Sequence, residues 1–190
     1  NLIGERQFID RLNAGFATSE KVSFNALGDN MGAYPINHGN ETNMQAAYLF
    51  SYTSEPWHTQ KWARAIQEKY YGMGPRDAYP GDEDQGQMSS WYILSSIGLF
   101  QMDGGCSKDP VWLLGSPRFD RVEILLDNTY YSGKKLIIKA ENVSKDNCYI
   151  QYVRFNNKRL SNNYIEWSKL KKGGTLHFIM GDRPNPNAFK

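Results

Sequence analysis

Three adjacent carboxylates, Asp82-Glu83-Asp84, stand between the Gly/Pro-rich segment Tyr79-Pro80-Gly81 and the stretch Gln85-Gly86-Gln87-Met88-Ser89-Ser90-Trp91-Tyr92, which begins polar and becomes apolar at helical spacing. Acidic residues are favoured at a helix start, where free backbone N–H groups and the helix dipole stabilise negative charge. One carboxylate is enough for a cap. Three in a row repel one another unless a cation, a proton or a substrate relieves them, and grouped acids in a loop mark a site that handles water or a cation. A second polar group precedes them in the chain: Pro35-Ile36-Asn37-His38-Gly39-Asn40-Glu41-Thr42-Asn43 gathers side-chain oxygens and one imidazole just ahead of another helical pattern. A lone His38 is most simply a hydrogen-bonded structural residue, whereas His38, Asn40 and Glu41 together invite a binding role.

The elements that must position these groups are legible from periodicity. Phe8, Ile9, Leu12 and Phe16 recur at helical intervals and predict an amphipathic helix over residues 5–17. Residues 18–35 then form a long loop containing Gly28, Asp29, Asn30 and Gly32. Ala46, Ala47, Leu49 and Phe50 form the apolar part of a second helix that ends near Ser54-Glu55-Pro56, and a third runs from Pro56 or Trp57 through Trp62, Ala65, Ile66 and Tyr70, since Pro is welcome in a first turn. Tyr71-Gly72-Met73-Gly74-Pro75 stops it, the acidic loop follows, and a fourth helix passes through Met88, Trp91, Tyr92, Leu94, Ile97 and Leu99. That helix is apolar on most sides and needs neighbours all round. Past Gly104-Gly105 the pattern changes to short β-type runs at residues 122–126, 135–139, 149–155 and 175–180, with turn signals between them. The expected architecture is α+β, with a helical part over residues 1–104 and an antiparallel β unit over residues 105–190.

With 190 residues, 40% hydrophobic and 14% aromatic, the chain can bury a real core. A net charge of +2, with basic residues dispersed except at Lys169, Lys171 and Lys172, argues against a nucleic-acid surface. No apolar run reaches the roughly 20 residues of a membrane span, and no signal-peptide pattern is present. The chain starts at Asn1 rather than Met, which reads as a processed product or an excised piece and leaves localisation open. Cys106 and Cys148 lack metal spacing and could pair in an oxidising compartment.

The ordered set His38-Gly39-Asn40-Glu41, Tyr48-Leu49-Phe50, Pro56-Trp57-His58-Thr59-Gln60, the residues from Gly81 to Tyr92, Ile97-Gly98-Leu99-Phe100, Gly115-Ser116-Pro117, Lys172-Gly173-Gly174-Thr175-Leu176 and Met180-Gly181-Asp182 resembles the C-terminal part of the glycoside hydrolase family 92 α-mannosidases. The resemblance covers most of the chain from about residue 30 onward. It implies a calcium-dependent, exo-acting, inverting enzyme on α-linked mannose, and specifically an α-1,2-mannosidase. It also implies that the helices are the last few of an (α/α)6 toroid, completed by a missing N-terminal portion of the same protein, and that the enzyme is periplasmic or secreted, as a mannose-containing glycan substrate suggests.

Inverting hydrolysis needs one carboxylate to activate water on one face of the sugar and an acid on the other, about 6.5–9.5 Å away. By resemblance Asp84 is the base and Asp82 its partner. The general acid lies farther upstream in the family than this chain reaches, so the chain alone is expected to be inactive. Calcium takes six to eight oxygen ligands, and Asn40, Glu41 and Asp84 are of the right type. His38 is a poor calcium ligand that instead contacts sugar or orients Glu41, Glu83 points elsewhere and caps the helix, and Trp57, at a loop edge, is the tryptophan placed to meet substrate. Trp62, Trp91, Trp112 and Trp167 belong to the core. A few helices of a toroid leave an apolar flank open, so self-association is expected. The competing reading is a non-catalytic carbohydrate-binding or structural module whose acids only cap or bind calcium.

Overall fold

Helix α1, Glu5–Ser19, buries Ile9, Phe16 and Ser19 along one stripe, two residues longer at its end than the periodicity over 5–17 predicts. The computed structural model describes residues 3–26 and 32–190; Gly28, Asp29 and Asn30 of the expected loop lie outside the described residues. A 3-10 turn, Glu20–Val22, follows α1, and Ser23 and Phe24 adopt left-handed φ values of 54° and 58°. That reversal turns Phe24 inward, where its ring meets Phe16 and Trp62 edge-on. The Phe16 ring stacks on Trp62 at 5.3 Å between centroids, and the Trp62 indole N–H donates to Asn13 Oδ1 at 2.8 Å, so the largest side chain of this core also has its polar atom satisfied.

The second helical pattern is broken into two pieces: a one-turn helix α2, Glu41–Met44, and a 3-10 stretch, Ala46–Tyr52. Ala46, Ala47, Tyr48, Phe50 and Ser51 are buried and only Tyr52 of the stretch is exposed, so the solvent stripe of a regular amphipathic helix is missing; packing, not propensity, decides the winding. Helix α3, Trp57–Lys69, starts behind Pro56 as expected and buries Trp62, Ala63 and Ile66 together with Thr59, Gln60, Arg64 and Gln67. Helix α4, Gln87–Ile97, stops at Gly98, whose φ of 82° closes the helix and where an added Cβ would lie 2.9 Å from the Pro117 ring. Leu99, expected to extend this helix, belongs instead to a strand.

Strand β1, Leu99–Phe100, pairs antiparallel with β2, Val111–Leu114. Beyond them come β3, Arg121–Leu125; β4, Lys135–Glu141; β5, Tyr149–Phe155; β6, Lys158–Arg159; β7, Tyr164–Glu166; a short helix α5, Trp167–Leu170; and β8, Gly174–Gly181. β7 joins β1 and β2 in a three-stranded sheet, and the remaining strands form a five-stranded sheet in the order β3-β4-β8-β5-β6. Strict alternation along β4 and β8 sends Leu136, Ile138, Ala140, Leu176, Phe178 and Met180 into the core with Ile150 and Val153 of β5.

The architecture is α+β. The β unit is not wholly antiparallel, however: β8 inserts between β4 and β5, antiparallel to β5 but parallel to β4. The chain forms two compact units that divide between Ile93 and Leu94, ahead of the Gly104-Gly105 change of pattern, because β1 already pairs into the sheet. Cys106 and Cys148 are not joined in a disulfide. No helix among the described residues is long and apolar enough to cross a membrane.

Candidate active site

Two glycines bring the polar segments together. An added Cβ on Gly39 would lie 2.8 Å from the Gly81 Cα and would collide with the Tyr70 hydroxyl, so neither chain can carry a side chain where they cross. The Asp82 backbone N–H donates to the Gly39 carbonyl at 3.1 Å across the same junction. Asn40-Glu41 and Asp82-Glu83-Asp84, about forty residues apart in the chain, thus flank one backbone contact.

On one side of the junction Asn40 is the N-cap of α2. Its Oδ1 accepts the Thr42 backbone N–H at 3.3 Å and the Thr42 hydroxyl at 2.8 Å, which engages both lone pairs. Glu41, the first residue of α2, is half-buried, and no described residue hydrogen-bonds its carboxylate. On the other side, Asp84, Gln85 and Gly86 take successive positive φ values of 29°, 59° and 85°, a tight reversal that delivers the chain into α4. The reversal folds the Glu83 carboxylate over the helix start, where it accepts the Ser89 hydroxyl at 2.6 Å and the Ser89 N–H at 3.2 Å. The middle acid of the triplet is therefore the cap. Its neighbours Asp82 and Asp84 are exposed, and no described residue donates a hydrogen bond to either carboxylate.

Behind the junction sits a buried aromatic cluster. His38 is wholly buried, with Tyr70, Tyr71 and Trp91 packed edge-on around it at centroid distances of 5.0, 5.4 and 4.3 Å. Its Nε2 is 2.7 Å from the Tyr71 hydroxyl, which in turn donates to the Met88 carbonyl at 3.3 Å. With the phenolic hydrogen given to Met88, His38 donates from Nε2, leaving Nδ1 as a buried acceptor without a partner among the described residues. Burial pushes the imidazole down to about 3, so it is neutral at any ordinary pH. The Tyr70 hydroxyl, aimed at the two glycines, is likewise unpartnered among the described residues; burial first and the Asp82 charge second push it up to about 12. Tyr71 is raised further, by burial and then by Tyr70 and Glu83.

The structure thus brings the segment that carries His38, Asn40 and Glu41 against the segment that carries Asp82, with Asp84 two residues farther along the chain. His38 offers no surface to a ligand and contacts Tyr71, which bonds the first turn of α4. Trp57 is not brought there: it opens α3, half-buried beside His58, whereas Tyr70 caps the other end, about 20 Å away at 1.5 Å per residue. Trp62 and Trp91 are core residues. Tyr70, Tyr71 and Ser89 belong to the site and were not marked by the sequence; the only signal was a Tyr-Tyr pair at a helix stop. Among the described residues no three His, Cys, Asp or Glu side chains converge as a metal cage. The carboxylates of Glu41, Asp82 and Asp84, which have no hydrogen-bond partner among the described residues, suit a hard cation in type, while the Asn40 oxygen is already committed to its cap.

Residues 1–182 match the model of the glycosyl hydrolase family 92 catalytic domain. Among solved structures, a family GH92 α-mannosidase from Bacteroides thetaiotaomicron is 30% identical, with a TM-score of 0.79 over 97% of this chain and 23% of its own. Its complex with mannoimidazole gives 29% identity and a TM-score of 0.80, over 98% and 24%. A family GH92 inverting mannosidase from the same species is 30% identical, with a TM-score of 0.76, over 98% and 25%. An uncharacterized secreted glycosidase of Arthroderma benhamiae is 28% identical over 145 residues, 75% of this chain and 18% of that protein. The chain spans a quarter or less of the length of these relatives.

Proposed function

The chain belongs to glycosyl hydrolase family 92, and we propose that it supplies the water-activating half of an inverting exo-α-mannosidase acting on mannose-containing glycans, with α-1,2-linked mannose as the preferred substrate. The observation that carries this reading is the Gly39–Gly81 junction, where the backbone leading into Asn40 and Glu41 meets the backbone leading into Asp82 and Asp84, both exposed and without a hydrogen-bond partner among the described residues.

In this reading Asp84 takes a proton from the attacking water and Asp82 orients that water. The capping of Ser89 by Glu83 separates the two aspartates from the middle acid and fixes the loop they project from. A general base placed this way contributes about 10²–10⁴-fold. The general acid comes from the part of the protein upstream of this chain, across the 6.5–9.5 Å gap that inversion requires. The helices of residues 1–104 complete an (α/α)6 toroid with that upstream part, and the whole enzyme is periplasmic or secreted.

Calcium is the proposed cofactor, held by the Glu41 and Asp84 carboxylates, by Asn40 if it releases Thr42, and by oxygens from the rest of the protein; bound there, it supplies charge that polarises vicinal sugar hydroxyls. Two observations favour the competing module reading, namely that Asn40 and Glu83 are both engaged as helix caps.

One assay separates the two. The full-length protein is given α-mannobiose, with and without chelator and as Asp84→Asn. Loss of about 10²-fold or more in kcat with Asp84→Asn, and loss on chelation that calcium restores, is expected. Activity that survives both treatments removes Asp84 and calcium from the chemistry.

A further inference from the structure

We propose that the outer face of the five-stranded sheet binds an anionic glycan, one that carries phosphate or carboxylate groups along its length. The strand registers place Arg121 of β3 opposite Lys139 of β4, Lys139 opposite His177 of β8, His177 opposite Arg154 of β5, and Arg154 opposite Arg159 of β6. Residues directly opposite share a face, and the alternating neighbours Ile138, Phe178 and Val153 are buried in the core, so this row points outward. It crosses every strand of the sheet, a span of about 19 Å at 4.7–4.9 Å per strand.

Like charges directly opposite one another, as Arg121 and Lys139 or Arg154 and Arg159 are here, destabilise a sheet. Here acids partner only part of the row. Glu123 bonds Arg121 and Lys135 at the β3 edge, and Glu141 pairs with His177 at 2.9 Å. Lys139 and Arg154 have no acidic partner among the described residues. Beside them lies a polar pocket of about 310 Å³ lined by Lys139, Asn156, Asn157, Thr175 and His177. Asn156 and Asn157, at φ 47° and 68°, make the β5–β6 turn, and the Thr175 N–H fixes the Asn156 amide through its Oδ1 at 2.8 Å. Amides and a hydroxyl suit sugar hydroxyls, while the flanking cations suit anionic substituents.

The aromatic residue of this face argues for the class of ligand. The Tyr152 ring is covered by the guanidinium groups of Arg154 and Arg159, at 5.0 and 5.5 Å from its centroid, so it offers no free platform for a nucleobase or a neutral pyranose. Charge and amides are what the surface presents. The choice of a glycan rests on the glycosyl hydrolase reading above; the charge row itself does not.

The test uses the full-length protein in affinity electrophoresis through gels containing polygalacturonate, phosphomannan or unsubstituted mannan, with a single-stranded oligonucleotide in solution as a further arm. Retardation by polygalacturonate or phosphomannan that weakens as salt is raised is expected, and the two gels distinguish carboxylate from phosphate. The double variant Lys139→Ala/Arg154→Ala should bind at least tenfold more weakly while hydrolysing α-mannobiose at the wild-type rate. Lys139→Gln/Arg154→Gln, which retains apolar stems over the sheet, guards against a folding effect and should behave the same way. No retardation by either anionic polymer, retardation unchanged in both variants, or equal affinity for the oligonucleotide overturns the proposal. A wild-type protein inactive on α-mannobiose but retarded in a variant-sensitive way overturns the hydrolase reading and upholds the binding face.

Discussion

Gly39 and Gly81 hold the candidate site together by having no side chains. The atoms a Cβ would meet at each position include the backbone of the other, so no rotamer change relieves the clash. Gly39→Ala in the full-length protein is expected to push the acidic loop away from Asn40 and Glu41 and to lower kcat/KM about 10²-fold, as a displacement near 1 Å does at a catalytic group; steady-state kinetics on α-mannobiose check this, and an unchanged kcat/KM would show that the junction does not set the chemistry. His38 makes a separate prediction. Burial holds it at about 3 against an ordinary 6.5, so between those values the unfolded chain binds more protons than the folded one. Stability contributed by the neutral ring is complete above about 6.5 and is lost as pH falls toward 3, by about 1.4 kcal/mol per pH unit. In urea titrations the wild type should lose about 2 kcal/mol more between pH 7 and pH 5 than His38→Gln; parallel losses would contradict a buried neutral imidazole. At this scale much was legible. Both polar segments and the capping role of Glu83 follow from residue type and spacing, but Tyr70 and Tyr71 did not stand out, because what makes them matter is a contact between segments far apart in the chain.

At the scale of elements, the helix starts were more legible than the strands. Pro56 before α3 and the acids before α4 are local signals that the fold obeys. Strands of two to four residues, such as β1, β6 and β7, are too short to show alternation, and nothing local to β8 announces that it pairs parallel with β4. The second helix failed for another reason, since burial of all but Leu49 and Tyr52 erased the amphipathic stripe from which a regular helix is inferred. Glu83 gives the prediction that belongs here. If its task is to cap α4, Glu83→Ala should cost about 1 kcal/mol of stability, and Glu83→Gln, which keeps an acceptor oxygen, distinctly less. Thermal unfolding of the two variants measures the difference. Equal destabilisation would mean that the charge, not the hydrogen bonds to Ser89, steadies the helix start.

For the molecule as a whole, the question is what these 190 residues leave uncovered, since the chain spans 23% of the length of the GH92 α-mannosidase it matches. The helical unit exposes Tyr52 at 64%, Ile93 at 59% and Met73 fully, and an open groove of about 430 Å³ lies among Ile3, Phe8, Leu49 and Tyr52. Scattered apolar side chains are ordinary on a protein surface, whereas a groove with four apolar walls is the kind of surface that another element covers. Burial of such a groove stabilises by about 25 cal/mol per Å² of apolar area removed from water, enough to drive association when no intramolecular partner is available. The excised chain should therefore run larger than a monomer in size-exclusion chromatography, increasingly so with concentration, and should bind a hydrophobic dye, while the full-length protein does neither. Tyr52→Ser with Leu49→Ser should shift the excised chain back toward monomer. A monomeric, dye-silent excised chain would mean that the groove is stable in water and needs no covering element.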